Sequence, residues 1–351
     1  MPNRWRRISG LLVSLALLAA VAGWLPRAEA GIFSISTKDE IEIGRQAAFQ
    51  LEKQYGLVQD KALQERVARI GARIAAASDR HDVEYTFKVL NSKDVNALAL
   101  PGGFVYVFKG LTDYMQTDEE LAGILGHEVG HISKRHTVRT IEKAYGWSIA
   151  FAVAFGGRGA VLQDLVLNAI MAGYSRDEER EADQLGFYHS VKAGYNPYSM
   201  LMGLQKLNEL PNKASYGLFS THPEPEARVA LVKGYINSAN ISPTVATANN
   251  GTPQINDKGL TVPVFTAAYR GNKPLNRSYF TAGALYLASR TAGFSGDRFI
   301  LDSDGTNMTV YYDDREIVTV TPQDASNAGT SLDELAGRYV TAFKSWSGGN
   351  K

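Results

Sequence analysis

The chain has 351 residues, a formal net charge of +1 at pH 7, 44% hydrophobic residues and no cysteine. The missing cysteines exclude disulfides and thiolate metal sites, so any bound metal must be held by nitrogen and oxygen. Nearly balanced charge removes the basic footprint expected of a nucleic-acid-binding protein.

Arg4, Arg6 and Arg7, an apolar run over residues 8–24 and then Ala28-Glu29-Ala30 read as a secretory signal peptide over 1–30, cleaved after Ala30. This predicts a periplasmic mature chain. An uncleaved anchor is the alternative, because the apolar run is near the lower limit for spanning a bilayer. Removal takes away four arginines and one glutamate and moves the net charge from +1 to −2.

Thr37 with Glu40 predicts a capped helix to residue 55, and Asp60 opens another to residue 77. Residues 84–90 alternate as a strand, and 95–100, Pro101-Gly102-Gly103 and 104–108 read as a hairpin. Its first strand, including Asn96, Ala97, Leu98 and Ala99, is expected to offer an edge that binds an extended peptide by backbone pairing. Thr117 with Glu120 caps the next helix, whose apolar stripe is Leu121, Ile124, Leu125, Val129 and Ile132.

That helix carries His127-Glu128-Val129-Gly130-His131. Residues four apart on a helix share a face, so His127 and His131 can reach one metal ion about 2 Å away. Glu128 then flanks the open position, suited to take a proton from a zinc-activated water and pass it to the leaving amine. With 6 His and 18 Glu in the chain, the pattern arises by chance in only about 0.5% of such sequences. A catalytic zinc needs a third protein ligand. Ser175 with Glu178 caps a second helix, running towards Gly194, on which Glu179 and Asp183 share a face. One carboxylate there suits the metal, and the other suits the free N–H of a ligand histidine. Glu178 and Glu181 point elsewhere.

The apolar segment 147–155, broken by glycines at 156–159, is too short to span a membrane and reads as a core helix or flap, with room for peripheral membrane contact. Thr221-His222-Pro223 precedes a helix starting at residue 224 or 225, with Arg228 in its first turns. Residues 238–258, rich in Ser, Thr, Asn and Pro, read as a linker. Beyond it, 262–269, 299–301, 308–312 and 317–321 look like strands, while 279–290 is open between strand and helix. Asp304-Gly305 reads as a turn, since calcium ligands downstream are missing, and Ser331 with Glu334 caps a last helix to residue 346.

The motifs resemble the gluzincin zinc metallopeptidases that include the CAAX prenyl endopeptidases and HtpX, and among these the soluble, periplasmic BepA-like branch. The resemblance rests on HEVGH, on SRDEEREAD over 175–183, on NALALPGG before VYV over 96–107, and on Thr221-His222-Pro223 with Arg228, in that order. It covers roughly residues 35–240. It implies His127, His131 and Glu179 as ligands of one Zn²⁺ per chain, Glu128 as general base and Asp183 orienting a ligand from behind. It also implies that His222 and Arg228 approach the metal. A cation there stabilises an oxyanion, whereas a neutral His222 in the open position holds the enzyme latent.

The expected architecture is therefore α+β: a helix-rich zincin-like domain with a small sheet over 31–237, the linker 238–258, and a small α+β accessory module over 259–346. The expected activity is zinc-dependent endoproteolysis of unfolded or misassembled proteins in the bacterial envelope, with the C-terminal module open to an envelope protein partner. The alternatives are a chaperone-like assembly factor in which peptide binding dominates, and a scaffold with a purely structural metal. Glu128 argues against both, because a structural zinc has no use for a flanking base.

Overall fold

The structure, a computed structural model, describes residues 34–145, 167–170, 172–211, 217, 221–222 and 225–349. The expected signal peptide and the apolar 147–155 segment lie outside the described residues.

Two helices, α1 (Thr37–Tyr55) and α2 (Lys61–Ala77), open the described chain. Asp60 caps α2 as expected, but the cap of α1 is Ser36, which accepts from the Asp39 amide. Glu40 is thereby freed from capping. Its buried carboxylate takes both terminal nitrogens of Arg80 at 2.8 Å, Arg135 Nε at 2.8 Å and the Gly102 amide at 3.0 Å. Arg80 also donates to the Ile132 carbonyl at 2.8 Å, so this ion-pair network ties α1 to the end of the helix carrying the histidine pair.

Strands β1 (Thr86–Leu90), β2 (Ala97–Leu100) and β3 (Phe104–Phe108) form a sheet in the order β1-β3-β2, with β1 parallel and β2 antiparallel to β3. β2 is therefore an edge strand. A short helix α3 (Lys109–Tyr114) leads into α4 (Asp118–Ser133), and α5 (His136–Tyr145) follows. The left-handed Arg135, with φ of +57°, makes the corner between them. The second acidic helix is α6 (Arg176–Lys192), then α7 (Ser199–Asn208) and α8 (Pro225–Ser238).

Helix α4 meets α6 at almost backbone contact. A Cβ on Gly130 would lie 2.6 Å from the Ala182 carbonyl oxygen, and one on Gly186 2.7 Å from the His127 amide nitrogen. Only glycines allow this approach. It brings the side chains at 127, 131, 179 and 183 face to face.

The stretch expected to be a linker is folded. Strands β4 (Thr244–Thr247) and β5 (Pro253–Asn256) form an antiparallel hairpin, with Ile241 and Ile255 buried. Polar composition hid this because only alternate residues of β5 face inward. One apolar core runs from Phe187, Met202 and Val232 through Ile255 into Leu285, Val310 and Trp346, so the C-terminal module packs directly on the α6–α8 side.

That module contains α9 (Pro274–Ser289), a meander of β6 (Phe299–Ser303), β7 (Met308–Tyr312) and β8 (Arg315–Val320), then α10 (Pro322–Asn327) and α11 (Leu332–Gly349). The segment left open at 279–290 is thus helix. Residues 262–269 are not the strand their composition suggested. Their backbone pairs with side chains instead: the amides of Thr266 and Ala267 donate to Asp324 Oδ1, and Arg277 donates to the Ala267 carbonyl at 2.6 Å. Burial alone would raise the Asp324 carboxyl, but the Arg277 hydrogen bond and charge outweigh it and hold it below the usual range. Asp304 accepts from the Thr306 and Asn307 amides in the tight turn foreseen there.

Candidate active site

Thr117 and Glu120 form both arms of a capping box at the start of α4, and Ser175 and Glu178 do the same for α6. The two helices therefore start at fixed residues, which sets the rotational phase of every side chain along them. His127, Glu128, His131, Glu179, Asp183, His222 and Arg228 are all buried.

Donor atoms of His127, His131, Glu179 and His222 all lie within 4.8 Å of one another. His127 Nε2 is 2.9 Å from His131 Nε2 and 3.1 Å from His222 Nδ1. Glu179 Oε1 is 2.9 Å from His222 Nδ1 and 3.3 Å from His131 Nε2.

The partners behind the histidines assign their tautomers. Asp183 can only accept, so His127 Nδ1 carries the proton and donates to Asp183 Oδ1 at 2.9 Å. His131 is oriented by a longer relay. Glu181 accepts from His136 Nε2 at 3.0 Å, which leaves His136 Nδ1 bare to accept from His131 Nδ1 at 2.9 Å. Burial lowers the pKa of both His131 and His136, consistent with neutral rings. Each ligand-type histidine thus turns a bare Nε2 into the same space. Two lone pairs 2.9 Å apart repel unless a cation lies between them. Burial would raise the Glu179 carboxyl, yet Arg228 and the histidines hold it far below its usual range, so it is an ionised donor. Bare imidazole nitrogens with one carboxylate and no thiolate suit zinc.

Beside this group, both Glu128 carboxylate oxygens are buried with no hydrogen-bond partner among the described residues. Glu128 Oε1 is 3.7 Å from His222 Nε2. A buried carboxylate without a hydrogen bond is costly unless it has a reactive partner to meet.

Arg228 faces the two buried carboxylates. Nε and Nη2 fork the Asp183 carboxylate at 2.7 Å each, and Nη1 lies 2.7 Å from Glu179 Oε2. Nη2 also lies 3.0 Å from His127 Nδ1, so the guanidinium touches both carboxylates and one of the ligand-type histidines. Asn96, Ala97, Leu98 and Ala99 are buried, and Thr137 Oγ1 donates to the Ala99 carbonyl at 3.1 Å. A peptide pairing at that carbonyl must share it with this bond or displace it.

No sequence motif assigns a role to three groups around His131. Tyr174 stacks on its ring at 3.8 Å and shares a hydrogen bond with Thr137, while His136 and Glu181 form the relay. The available signal was His136 itself, a further histidine just past the motif. Glu181 does point away from the donor cluster, but towards His136, Lys134 and Arg139.

Comparison with known proteins decides the family. Residues 61–236, half of the chain, match the model of peptidase family M48. The chain belongs to peptidase family M48. This is a zinc metallopeptidase family, and zinc is the cofactor that the donor set suits. The chain is 29% identical over 237 residues to the metalloprotease YcaL of Escherichia coli strain K12, covering 66% of this chain and 89% of that one. It is 28% identical over 215 residues to a putative beta-barrel assembly-enhancing protease of Vibrio cholerae, covering 56% of this chain but only 44% of the relative. Against the mitochondrial metalloendopeptidase OMA1 of Arabidopsis thaliana, identity is 32% over 184 residues, which is 51% of this chain and 37% of that one. Residues 258–345 match a separate domain of unknown function, DUF8459.

Proposed function

We propose that this protein is a zinc endopeptidase of the bacterial envelope that cleaves unfolded or misassembled proteins, with His127, His131 and Glu179 holding the metal. The observation that carries the reading is the Glu128 carboxylate, buried beside the converging donors with no hydrogen bond among the described residues. A binding protein or a structural zinc site gains nothing from a buried base beside the metal.

A zinc ion held there supplies the electrophile that polarises a scissile carbonyl and acidifies a water molecule. Glu128 takes the proton of the attacking water and delivers it to the leaving amine. Asp183 and the His136–Glu181 relay hold the two imidazoles in the tautomer that presents Nε2. Arg228 positions Asp183 and Glu179 and touches no reacting atom.

The envelope assignment is supported by the signal-like leader and by the likeness to a protein named a beta-barrel assembly-enhancing protease. Among the described residues, no helix is long and apolar enough to cross a membrane. Protein substrates follow from the same likeness, and β2 is the edge on which an extended segment would pair.

His222 acts as a latency plug in this reading. Its ring stands inside the donor cluster, 3.1 Å from His127 Nε2, which is the place of a fourth ligand and is where substrate must bind. Casein cleavage that stops on adding a chelator and returns with zinc tests the activity. In the same assay His222→Ala should raise basal cleavage about tenfold with zinc retained; lower turnover with zinc retained assigns His222 to transition-state stabilisation instead.

A further inference from the structure

A cavity of about 450 Å³ lies away from the donor cluster, where the C-terminal module meets the start of α4. Residues 116–120 form one wall, and α9, β8 and the segment after Phe265 form the other. Met202, Phe265, Phe280 and Val318 give it an apolar lining.

Two polar groups in that lining lack partners. Asn276 is 1% exposed, and its Nδ2 faces two acceptors, the Met202 carbonyl and Asn272 Oδ1, which fixes the amide orientation. Its Oδ1 is then left buried with no hydrogen bond among the described residues. Arg315 makes no ion pair among the described residues and acts only through space on Glu119. Most neighbouring charges are committed: Arg277 to Asp324, Arg270 to Glu316, Glu120 to Lys206, Asp118 to Arg66 and Arg69, and Glu119 to the Asn196 amide and Ser199; Asp314, exposed at the rim, makes no ion pair among the described residues. The cavity thus offers one free buried acceptor, one free cationic donor and aromatic walls.

An extended polypeptide with a bulky apolar side chain answers all three. Its N–H groups meet Asn276 Oδ1, its carbonyls meet Arg315, and its side chain fills the apolar part. We infer that the cavity is an exosite which holds a stretch of the polypeptide substrate while another stretch lies at the metal. This rests on the endopeptidase reading above. Glu120 and His127 are seven residues apart on α4, about 10 Å along its axis. A substrate needs at least about three extended residues on one side of the scissile bond to engage both places. Short peptides bypass the exosite.

The test uses the full chain and two probes, casein as an unfolded polypeptide and an internally quenched tetrapeptide with two residues on each side of the scissile bond. Binding of labelled casein to the Glu128→Gln protein is measured by fluorescence anisotropy, with and without Arg315→Ala or Ala284→Phe, a change that fills the cavity. Either change should weaken casein binding about tenfold and, on the active chain, leave tetrapeptide turnover unchanged. Arg315 is partly exposed, so its replacement keeps the test open if Ala284→Phe does not fold. Casein affinity unaltered in Arg315→Ala, or tetrapeptide turnover falling in the same proportion, overturns the exosite. A parent chain that binds casein through this cavity but cleaves neither probe removes the peptidase reading, and the exosite with it, and leaves only a polypeptide-binding cavity.

Discussion

Glu128→Gln should abolish peptide hydrolysis while the protein keeps about one zinc per chain. Removing a positioned base costs about 10²- to 10⁴-fold in rate. The substitution preserves volume and touches none of His127, His131 or Glu179. Because both Glu128 oxygens are buried without partners, the amide leaves no broken hydrogen bond behind, and folding should be unaffected. Casein cleavage and metal analysis on one preparation check this together. Residual activity near the parent level would remove Glu128 from the chemistry.

Arg228→Ala should produce the largest loss of stability, about 3–5 kcal/mol in metal-free protein, because it strips the partner from a buried charge pair. Asp183 and Glu179 are both buried, and three nitrogens of Arg228 reach them at 2.7 Å. Burial pushes each carboxyl up, and the Arg228 charge is what reverses this. Arg228→Lys should recover only part of the loss, because an ammonium cannot fork Asp183 as the planar guanidinium does. Urea unfolding after chelation reads the effect. An unchanged midpoint in Arg228→Ala would mean that the guanidinium is dispensable to the site.

The parts of this fold legible in the sequence are those set by local physics. Thr117 with Glu120 and Ser175 with Glu178 announce their helices because a capping box needs only four residues of sequence. Spacing then places His127, His131, Glu179 and Asp183 on defined faces. What was hidden depends on residues distant in the chain. Glu40 looked like a capping residue and is instead a buried partner of Arg80 and Arg135. Residues 262–269 have strand-like composition, but Asp324 and Arg277 take their backbone groups. Polar residues 238–258 concealed a hairpin because only Pro253 and Ile255 of β5 face inward. The His136–Glu181 relay joins two helices and has no spacing rule to reveal it. Glycines 130 and 186 carry no chemical signal, yet their lack of a Cβ is what lets α4 and α6 approach closely enough to share a metal.

Zinc content of Glu179→Ala beside Glu181→Ala, both as full-length chains, tests the metal site most directly. The carboxylates are two positions apart on α6, and only Glu179 enters the donor cluster, with Oε1 3.3 Å from His131 Nε2. Glu181 lies behind His136. The account predicts near-zero zinc and no cleavage for Glu179→Ala, and close to one zinc per chain for Glu181→Ala. Full zinc in Glu179→Ala with loss in Glu181→Ala would contradict it.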